Sequence, residues 1–348
     1  MSNKSIIVIH GGAGTINQSS MTNEKEKEIR HSLSKILLGA KAVLENGGTA
    51  IEAVTEAVRL LEDDEIYNAG KGSVFTDKFT NEMDASIMDG KTLKAGSVCG
   101  VATIKNPIKA AKALMEYNNN QTVMLSGEPA QNFAKSQGVE IVDPSYFYTA
   151  HRYNQCVLAK EKAANKAILD HDGENNQIKQ KQEESNVSTT TTVSVSISNG
   201  DGYPLDNNKK HGTVGAVALD QYGNLASATS TGGMTNKKSG RIGDSPIIGA
   251  GCYSNNNTCA VSTTGTGESF IRAVVAYDLS AMLEYTQMSL EEAGNKVIHT
   301  KLPLVDGDGG LIAVDKNGNF IMPFNTEGMY RGYMKVTDIE PNVFIYKN

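Results

Sequence analysis

The sequence predicts an α+β fold in which two β-sheets pack against each other with helices on the outside. Strand-like alternating runs, followed by segments with helix-like apolar spacing, occur in both halves of the 348-residue chain. Hairpin signals recur at Tyr222-Gly223-Asn224 and at Asn317-Gly318, and they favour layered antiparallel sheets over a purely parallel sheet. A content of 39% hydrophobic and 21% charged residues is that of an ordinary soluble globular protein.

The first half of the chain begins with a predicted strand over residues 4–10, which ends in a glycine-rich turn at residues 11–14. A helix is expected to begin at Asn23, and the glycine pair at 47–48 is expected to end it. Thr49 then serves as the N-cap of a second helix. The other elements predicted here are strands around residues 83–88 and 97–104, a helix that begins at Pro107, and a helix over residues 144–170.

A polar segment from residue 171 to residue 210 separates the two halves. It is rich in Asn, Gln, Ser and Thr, and it has too few large apolar groups to offset the entropy cost of ordering. We therefore predict a disordered linker. The rest of the chain is predicted to contain a hairpin of strands at 213–219 and 225–229, a strand at 258–264, helices at 268–285 and 290–299, and a final hairpin around Asn317.

Composition and charge argue against several classes of partner. The net charge of -6 and the pI near 5.6 argue against nucleic acid and anionic membranes. No stretch approaches the roughly 20 apolar residues of a transmembrane helix, and the apolar run at residues 6–9 is short for a signal peptide. The four cysteines form no CxxC pair, and the six histidines have no zinc-ligand spacing. We expect a reduced, cytoplasmic protein without a zinc site.

The bond between Gly212 and Thr213 is the strongest candidate for chemistry. It lies where the polar segment gives way to a strand-like apolar run. A cut at this bond would give Thr213 a free α-amine beside its hydroxyl, so that one residue supplies both a nucleophile and a base. Because such an amine titrates at a pH of about 8, a useful fraction is free base at neutral pH. The alternative is a plain Gly-Thr dipeptide at the start of a strand.

Three further segments of the second half carry candidate residues. Thr231 ends a hydroxyl-rich stretch and could hold the new amine by hydrogen bonds. Arg241 and Asp244 have the charges to hold both ends of an amino acid, because a guanidinium binds a carboxylate and a carboxylate binds an ammonium. Thr264 ends a strand before a helix, where N–H groups and its hydroxyl can bind an oxyanion. The structural alternatives are a strand end, a surface ion pair and an ordinary strand-to-helix loop.

A set of sequence blocks also matches one family in the correct order. The blocks are HGGAGT, YNAGKGSVFT, MDASIMDG, KAGSVCGV, HGTVGAVALD, ATSTGGMTNK, GRIGDSP, GAGCY, TGTGE and PFNTEGMYRG. From about residue 4 to residue 335, the chain resembles the plant-type L-asparaginase/isoaspartyl peptidase family of N-terminal-nucleophile hydrolases. The resemblance implies a four-layer αββα fold that is made as an inactive precursor. It also implies self-cleavage into an α subunit (residues 1–212) and a β subunit (residues 213–348), which remain one structural domain.

The resemblance assigns roles to individual residues. It implies cleavage between Gly212 and Thr213, with Thr213 as the nucleophile. The other residues that it marks are Thr231, which steadies the nucleophile; Arg241 and Asp244, which hold the substrate's α-carboxylate and α-ammonium; Thr264 and Gly265 at the oxyanion; Gly265 and Gly267 facing the substrate's amino-acid head; and Asn68 near the nucleophile.

The resemblance also implies the reaction, one ion and an assembly. The expected substrates are small molecules, L-asparagine and β-aspartyl peptides, and catalysis needs no cofactor. The expected oligomer is a dimer of αβ units. A loop that wraps a structural sodium ion with backbone carbonyls would use Leu61, Glu62, Asp64, Tyr67, Ala69 and Lys71.

Several alternatives stay open at this point. A glycosylasparaginase-like amidase should have an Asp before the nucleophile, where this chain has Gly212. A protease related to threonine aspartase is disfavoured by the GRIGDSP block, which matches a small-substrate pocket. An uncleaved, inactive binding protein of the same fold is a different class. A nucleotide-binding protein built on HGGAG is disfavoured because neither glycine-rich stretch has the spacing of a phosphate-binding loop.

Overall fold

The computed structural model describes residues 4–176 and 212–347, and it confirms the α+β class. The strands within these ranges are β1 (Ile6–Gly14), β2 (Met83–Asp89), β3 (Ala95–Val101), β4 (Met124–Ser126), β5 (Val214–Leu219), β6 (Leu225–Thr231), β7 (Cys252–Ser254), β8 (Cys259–Gly265), β9 (Gly309–Asp315), β10 (Phe320–Ile321), β11 (Gly328–Lys335) and β12 (Asn342–Tyr346). The α-helices are α1 (Asn23–Glu45), α2 (Ala50–Asp63), α3 (Pro107–Glu116), α4 (Gly127–Ser136), α5 (Ala150–Asn176), α6 (Gly267–Ala273), α7 (Val275–Tyr285) and α8 (Leu290–Lys296).

The strands form two sheets. The larger sheet has eight strands in the order β12-β11-β1-β5-β6-β2-β3-β4, and the smaller has four in the order β10-β9-β8-β7. Strand β4 lies parallel to β3, and the other pairings are antiparallel. Strand β1 is hydrogen-bonded on one side to β11 and on the other to β5. Strand β1, from before residue 212, therefore lies between two strands from after it.

The three largest apolar clusters among the described residues hold the sheets and helices together. In β1, Ile7 and Ile9 face a cluster that contains residues of α1 and α2. The alternate residues Ile6 and Val8 face a second cluster, which also contains Ile312 of the smaller sheet. A third cluster joins the other face of the smaller sheet to α7 and α8. The alternation along β1 is the period of two that a strand buried on both faces requires.

Most of the predicted helix and strand signals are confirmed. Thr49 begins α2 with a reciprocal capping box, in which its hydroxyl accepts from the Glu52 N–H and the Glu52 carboxylate accepts from the Thr49 N–H. Pro107 opens α3, and the hairpin turns at Tyr222–Asn224 and Asn317–Gly318 join β5 to β6 and β9 to β10. None of the described helices combines the length and apolar character of a membrane span.

The glycine-rich turn predicted after β1 is wrong, because the strand continues to Gly14. Ala13 and Gly14 pair with β11 beyond a bulge at His10/Gly12, so the ladder to β11 outweighs the weak strand preference of glycine. Gly12 has a φ of +112°, and a Cβ added there would lie 2.7 Å from the Cα of Gly212. Only glycine combines this conformation with such a close approach.

The single helix predicted over residues 268–285 is also wrong, because Val274 breaks it. Val274 has a φ of 49°, a left-handed conformation that is rare for a β-branched residue. The break directs the first N–H groups of α7 at another loop: Tyr277 donates to the Gly249 carbonyl at 2.8 Å. The new partner satisfies a donor that helix starts otherwise leave free.

Two predicted elements lie next to the end of the first described range, at residue 176. The helix predicted over residues 144–170 is a short 3₁₀ turn followed by α5, which continues to Asn176. The predicted linker at 171–210 therefore begins within α5, and from residue 177 onward it lies outside the described residues.

Candidate active site

The candidate nucleophile lies at the start of β5, beside the end of β6. Val214 pairs with Ser230, so Thr213 and Thr231 are neighbours at the same end of the two strands. The Thr213 hydroxyl donates to the Thr231 hydroxyl oxygen at 3.2 Å, and both residues are buried. Thr231 Oγ1 also accepts from the Gly233 N–H at 2.9 Å. The second contact fixes the position at which the Thr213 hydroxyl is held.

A cleft of about 240 Å³ opens at Thr213. Its lining combines three buried hydroxyl residues, two residues of opposite charge and several glycines, and these groups can form hydrogen bonds and ion pairs with a small polar ligand. The residues that line it are Gly212, Thr213, Thr231, Gly233, Met234, Arg241, Gly243, Asp244, Ser245, Gly265 and Gly267. Seven residues proposed from the sequence therefore meet here, whereas Asn68 and Thr264 are absent from the lining.

The two charged residues of the cleft have separate partners. Nε and Nη2 of Arg241 donate to the Glu268 carboxylate at 2.9 and 2.7 Å. Asp244 Oδ2 accepts from the Thr263 hydroxyl at 2.8 Å. A Cβ at Gly267 would lie 3.0 Å from both Arg241 Nη2 and Asp244 Oδ1. The missing side chain therefore leaves room for a ligand that bears both charges.

Of the two residues predicted at the oxyanion site, Gly265 lines the cleft and Thr264 does not. Gly265 lines the cleft, and a Cβ there would lie 2.2 Å from the Asp308 carbonyl oxygen. Thr264 is fully buried, and its Oγ1 accepts from the Ala13 N–H at 3.2 Å. In this structure the Thr264 hydroxyl links β8 to β1, while the backbone at Gly265 faces the cleft.

Asn68 does not line the cleft, but it is hydrogen-bonded to the turn that follows Thr231. Its Nδ2 donates to the Gly233 carbonyl at 2.6 Å, and its backbone carbonyl accepts from the Gly232 N–H at 2.9 Å. A Cβ on Gly212 would lie 2.7 Å from the Asn68 Cβ. Asn68 thus fixes the turn after Thr231 and limits the residue before Thr213 to glycine.

His10 is a site residue that the sequence analysis did not single out. Its Nδ1 lies 3.0 Å from the Thr213 carbonyl oxygen, and its Nε2 lies 2.9 Å from Ser262 Oγ. A carbonyl only accepts, so Nδ1 carries the proton and Nε2 accepts from the Ser262 hydroxyl. Thr229 Oγ1 continues this chain at 2.7 Å from Ser262 Oγ. The histidine holds the main chain of Thr213, and only tertiary contacts reveal that role.

Ser245 and Glu268 are the other two residues that sequence reasoning missed. Ser245 Oγ lies 3.5 Å from Thr213 Oγ1, at the outer limit of a hydrogen bond. Both residues belong to quoted blocks, GRIGDSP and TGTGE. Their positions beside Asp244 and Gly267 were the available signal.

Complete burial lowers the pKa of His10 to about 3, although the hydrogen bond to Thr213 opposes the shift. The ordinary value is about 6.5, so between these pH values the unfolded chain binds a proton that the folded chain does not. We expect this residue to reduce the free energy of unfolding by about 1.4 kcal/mol per pH unit as the pH falls through that window. Urea unfolding of wild type and His10→Gln at pH 4, 5, 6 and 7 measures the slope.

The exposed His31 provides the matched control, because His31→Gln should leave the pH slope of the wild type in place. An unchanged slope in His10→Gln would show that other groups account for it.

The segment proposed to wrap sodium consists of the last turn of α2 and the residues that follow it. A Cβ at Gly70 would lie 2.3 Å from the Glu62 carbonyl oxygen, and one at Gly72 would lie 2.0 Å from that of Tyr67. The two glycines thus allow the backbone carbonyl oxygens of Glu62 and Tyr67 to approach closely. No cluster of three or more His, Cys, Asp or Glu side chains in the described ranges could hold a metal ion. A cation here would depend on main-chain carbonyls, which suit a hard ion.

Comparisons with known proteins show similarity over almost the whole chain. A family model described as "Asparaginase" matches residues 3–344. A Dictyostelium discoideum protein is 61% identical over 334 residues, which cover 96% of this chain and 94% of the relative. An Escherichia coli K12 protein named isoaspartyl peptidase is 48% identical over 344 residues, covering 99% and 97%. A Xenopus laevis protein named isoaspartyl peptidase/L-asparaginase is 37% identical over 343 residues, covering 99% and 96%.

Proposed function

The chain belongs to the asparaginase family, and from this membership we propose that it hydrolyses L-asparagine and removes N-terminal β-aspartyl residues from peptides. One observation carries the proposal: a buried threonine hydroxyl shares a small cleft with an arginine and an aspartate. Both substrates present a side-chain carbonyl next to an α-carboxylate and an α-ammonium. The cleft offers a nucleophile for the first and a charge partner for each of the others.

The precursor activates itself at Gly212-Thr213 in this proposal. The Thr213 hydroxyl oxygen attacks the Gly212 carbonyl carbon, the C–N bond breaks, and the acyl group moves from nitrogen to oxygen. Water hydrolyses the resulting ester, which leaves a carboxylate on Gly212 and a free amine on Thr213. The products would be residues 1–212 and 213–348, held together in one domain. The close packing of Gly212 against Asn68 and Gly12 supports a fixed position for this bond.

The mature enzyme would use the same hydroxyl on its substrate. The Thr213 amine takes the hydroxyl proton as Oγ1 attacks the side-chain carbonyl, and it then gives that proton to the departing amine. The products of this half are a β-aspartyl ester on Thr213 and ammonia or a free amino group. Water attacks the ester, its proton returns through the amine, and aspartate leaves. The hydrogen bond to Thr231 supports the alignment of the nucleophile.

Substrate orientation would come from the charged residues and the glycines. Arg241 would bind the α-carboxylate and Asp244 the α-ammonium, with Gly265 and Gly267 against the substrate's head. Glu268 pairs with the Nε edge of Arg241, so the substrate would use the remaining donors of the guanidinium. The oxyanion would be held at Gly265, while Thr264 acts through its contact with β1.

The test of this function uses the purified protein. We expect two bands on a denaturing gel instead of one near 37.2 kDa, with the second polypeptide beginning at Thr213. Ammonia should be released from asparagine, and aspartate from a β-aspartyl dipeptide. A single uncut chain without hydrolysis would favour the alternative of an inactive binding protein. Cleavage of a glycosylated asparagine but not of the free amino acid would favour a glycosylasparaginase-like amidase.

The finer architecture is part of the same proposal. A four-layer αββα arrangement is supported by the three apolar clusters, which lie between helices and sheet, between the two sheets, and between sheet and helices. A dimer of cleaved αβ units is proposed from the family resemblance, and light scattering would measure it. The four cysteines are buried and free, which supports a reducing compartment such as the cytoplasm.

We propose a structural sodium ion in the loop from Leu61 to Lys71, held by backbone carbonyls. The residues fit such an ion because glycines at positions 70 and 72 let carbonyl oxygens of Glu62 and Tyr67 lie close to this part of the loop. The ion would brace the loop that carries Asn68 and would take no part in catalysis. Sodium should raise the thermal unfolding midpoint by about 3 °C, as a ligand of the folded state does. Choline chloride at equal ionic strength is the control, and equal midpoints in the two salts would refute the ion.

A further inference from the structure

A second pocket lies on the other side of Gly212 from the cleft. Its interior accepts the centres of water-sized groups over about 70 Å³, which is room for several water molecules. Of the residues that the structure describes, Gly212 alone lines both the pocket and the cleft. Gly212 is therefore the partition between the two spaces, and it is also the residue whose bond to Thr213 is proposed to break.

The chemistry of the proposed reaction directs the departing group toward this pocket. The group leaves as an amine and receives its proton from the Thr213 amine, so it must lie beside that nitrogen. In the uncut chain, the atom bonded to that nitrogen is the carbonyl carbon of Gly212. Once the bond is cut and Gly212 moves away, the departing group occupies the space that Gly212 held. That space opens into the pocket.

The walls of the pocket combine six apolar side chains with the polar side chains of Thr15, Asn68, His151, Arg152 and Gln155. Ile16, Met21, Ile66, Tyr67, Val74 and Tyr330 line it. Tyr67 is almost fully buried; its hydroxyl donates to Ser32 at 3.1 Å, and its ring packs edge-on against Tyr330 at 6.5 Å between centroids. Arg152 closes one side and is itself fixed, because its guanidinium donates to the carbonyls of Gly72 and Ile66.

We propose that this pocket binds the side chain of the amino acid that follows the β-aspartyl residue and selects large apolar side chains there. The inference rests on the proposed function and extends it to the substrate class: β-aspartyl peptides with an apolar second residue. Asparagine, whose leaving group is ammonia, does not use the pocket.

The experiment compares kcat/KM for β-aspartyl-leucine, β-aspartylglycine and asparagine. Burying a leucine side chain predicts a value about 10-fold higher for β-aspartyl-leucine than for β-aspartylglycine. Met21→Trp fills the pocket and should lower the β-aspartyl-leucine value by about 10-fold. The same variant should leave asparagine and β-aspartylglycine within about 2-fold of wild type. Met288→Trp is the matched control, because Met288 is partly buried against the cluster that contains residues of α7 and α8. It should change kcat/KM for none of the three substrates.

The outcomes separate this inference from the function on which it rests. Equal values for the two dipeptides in wild type, or a uniform loss on all three substrates in a folded Met21→Trp, would overturn the pocket assignment while hydrolysis itself stands. If wild type hydrolyses none of the three substrates, both the function and the pocket assignment fall. If Met21→Trp does not fold, the ratio of the wild-type kcat/KM values for β-aspartyl-leucine and β-aspartylglycine decides whether the inference stands.

Discussion

Thr213→Ala should remain a single uncut chain and lose hydrolysis of asparagine and β-aspartyl peptides by at least about 10,000-fold. The substitution removes the oxygen that attacks in both reactions, and no other described hydroxyl lies in its place: Thr231 accepts from it, and Ser245 is 3.5 Å away. The fold should survive, because the residue lies before β5 and its backbone contact with His10 is retained. A denaturing gel and an ammonia assay give the two measurements.

Thr213→Ser provides the control, since it keeps the hydroxyl and loses one methyl group. It should still cut itself and turn over substrate, at a reduced rate. Cleaved or active Thr213→Ala protein would refute the assignment of the nucleophile.

Arg241→Ala should raise the KM for asparagine by about 10- to 100-fold and leave self-cleavage at the wild-type rate. The guanidinium is assigned to the substrate's α-carboxylate, and a charge-assisted hydrogen bond lost from ground state and transition state alike appears in KM. In the uncut chain the attacked carbonyl belongs to Gly212, which presents no such carboxylate. Glu268 loses its partner but is 51% exposed, so water can replace the guanidinium.

Arg272→Ala is the matched control, because Arg272 lies one turn beyond Glu268 on α6 and contacts Ser269 and Val305 instead of the cleft. It should leave KM unchanged. Equal loss of self-cleavage and of turnover in Arg241→Ala would assign Arg241 a structural role.

Local signals in the sequence predicted those elements whose causes are local. The capping box at Thr49, the proline that opens α3 and the Asn317-Gly318 turn each act within a few residues. The extension of β1 through its glycines depends on β11, more than 300 residues away, and no local pattern encodes that pairing. The break at Val274 likewise depends on the carbonyls of Gly249 and Ala250. Helix α4 and strands β11 and β12 were not predicted.

The residues of the site also separate into those with a local sequence signal and those that only tertiary contacts reveal. Thr213, Thr231, Arg241 and Asp244 stand out because their chemistry is unusual for their sequence context, and the structure brings them into one cleft. Glu268 and His10 matter only through contacts, one with a guanidinium and the other with a main-chain carbonyl. The pocket beyond Gly212 is lined by side chains from distant segments, so it exists only once the chain has folded.

The order of strands in the larger sheet determines whether folding or a cut at Gly212 would have to come first. Because β1 is inserted between β5 and β11, the two polypeptides made by a cut at Gly212 would be woven through each other. Neither could be released without dismantling the sheet, and neither could be swapped for a freshly synthesised copy. A cut at Gly212 would therefore have to follow folding, and a cut molecule that unfolded would lack the tether that first brought its strands into register.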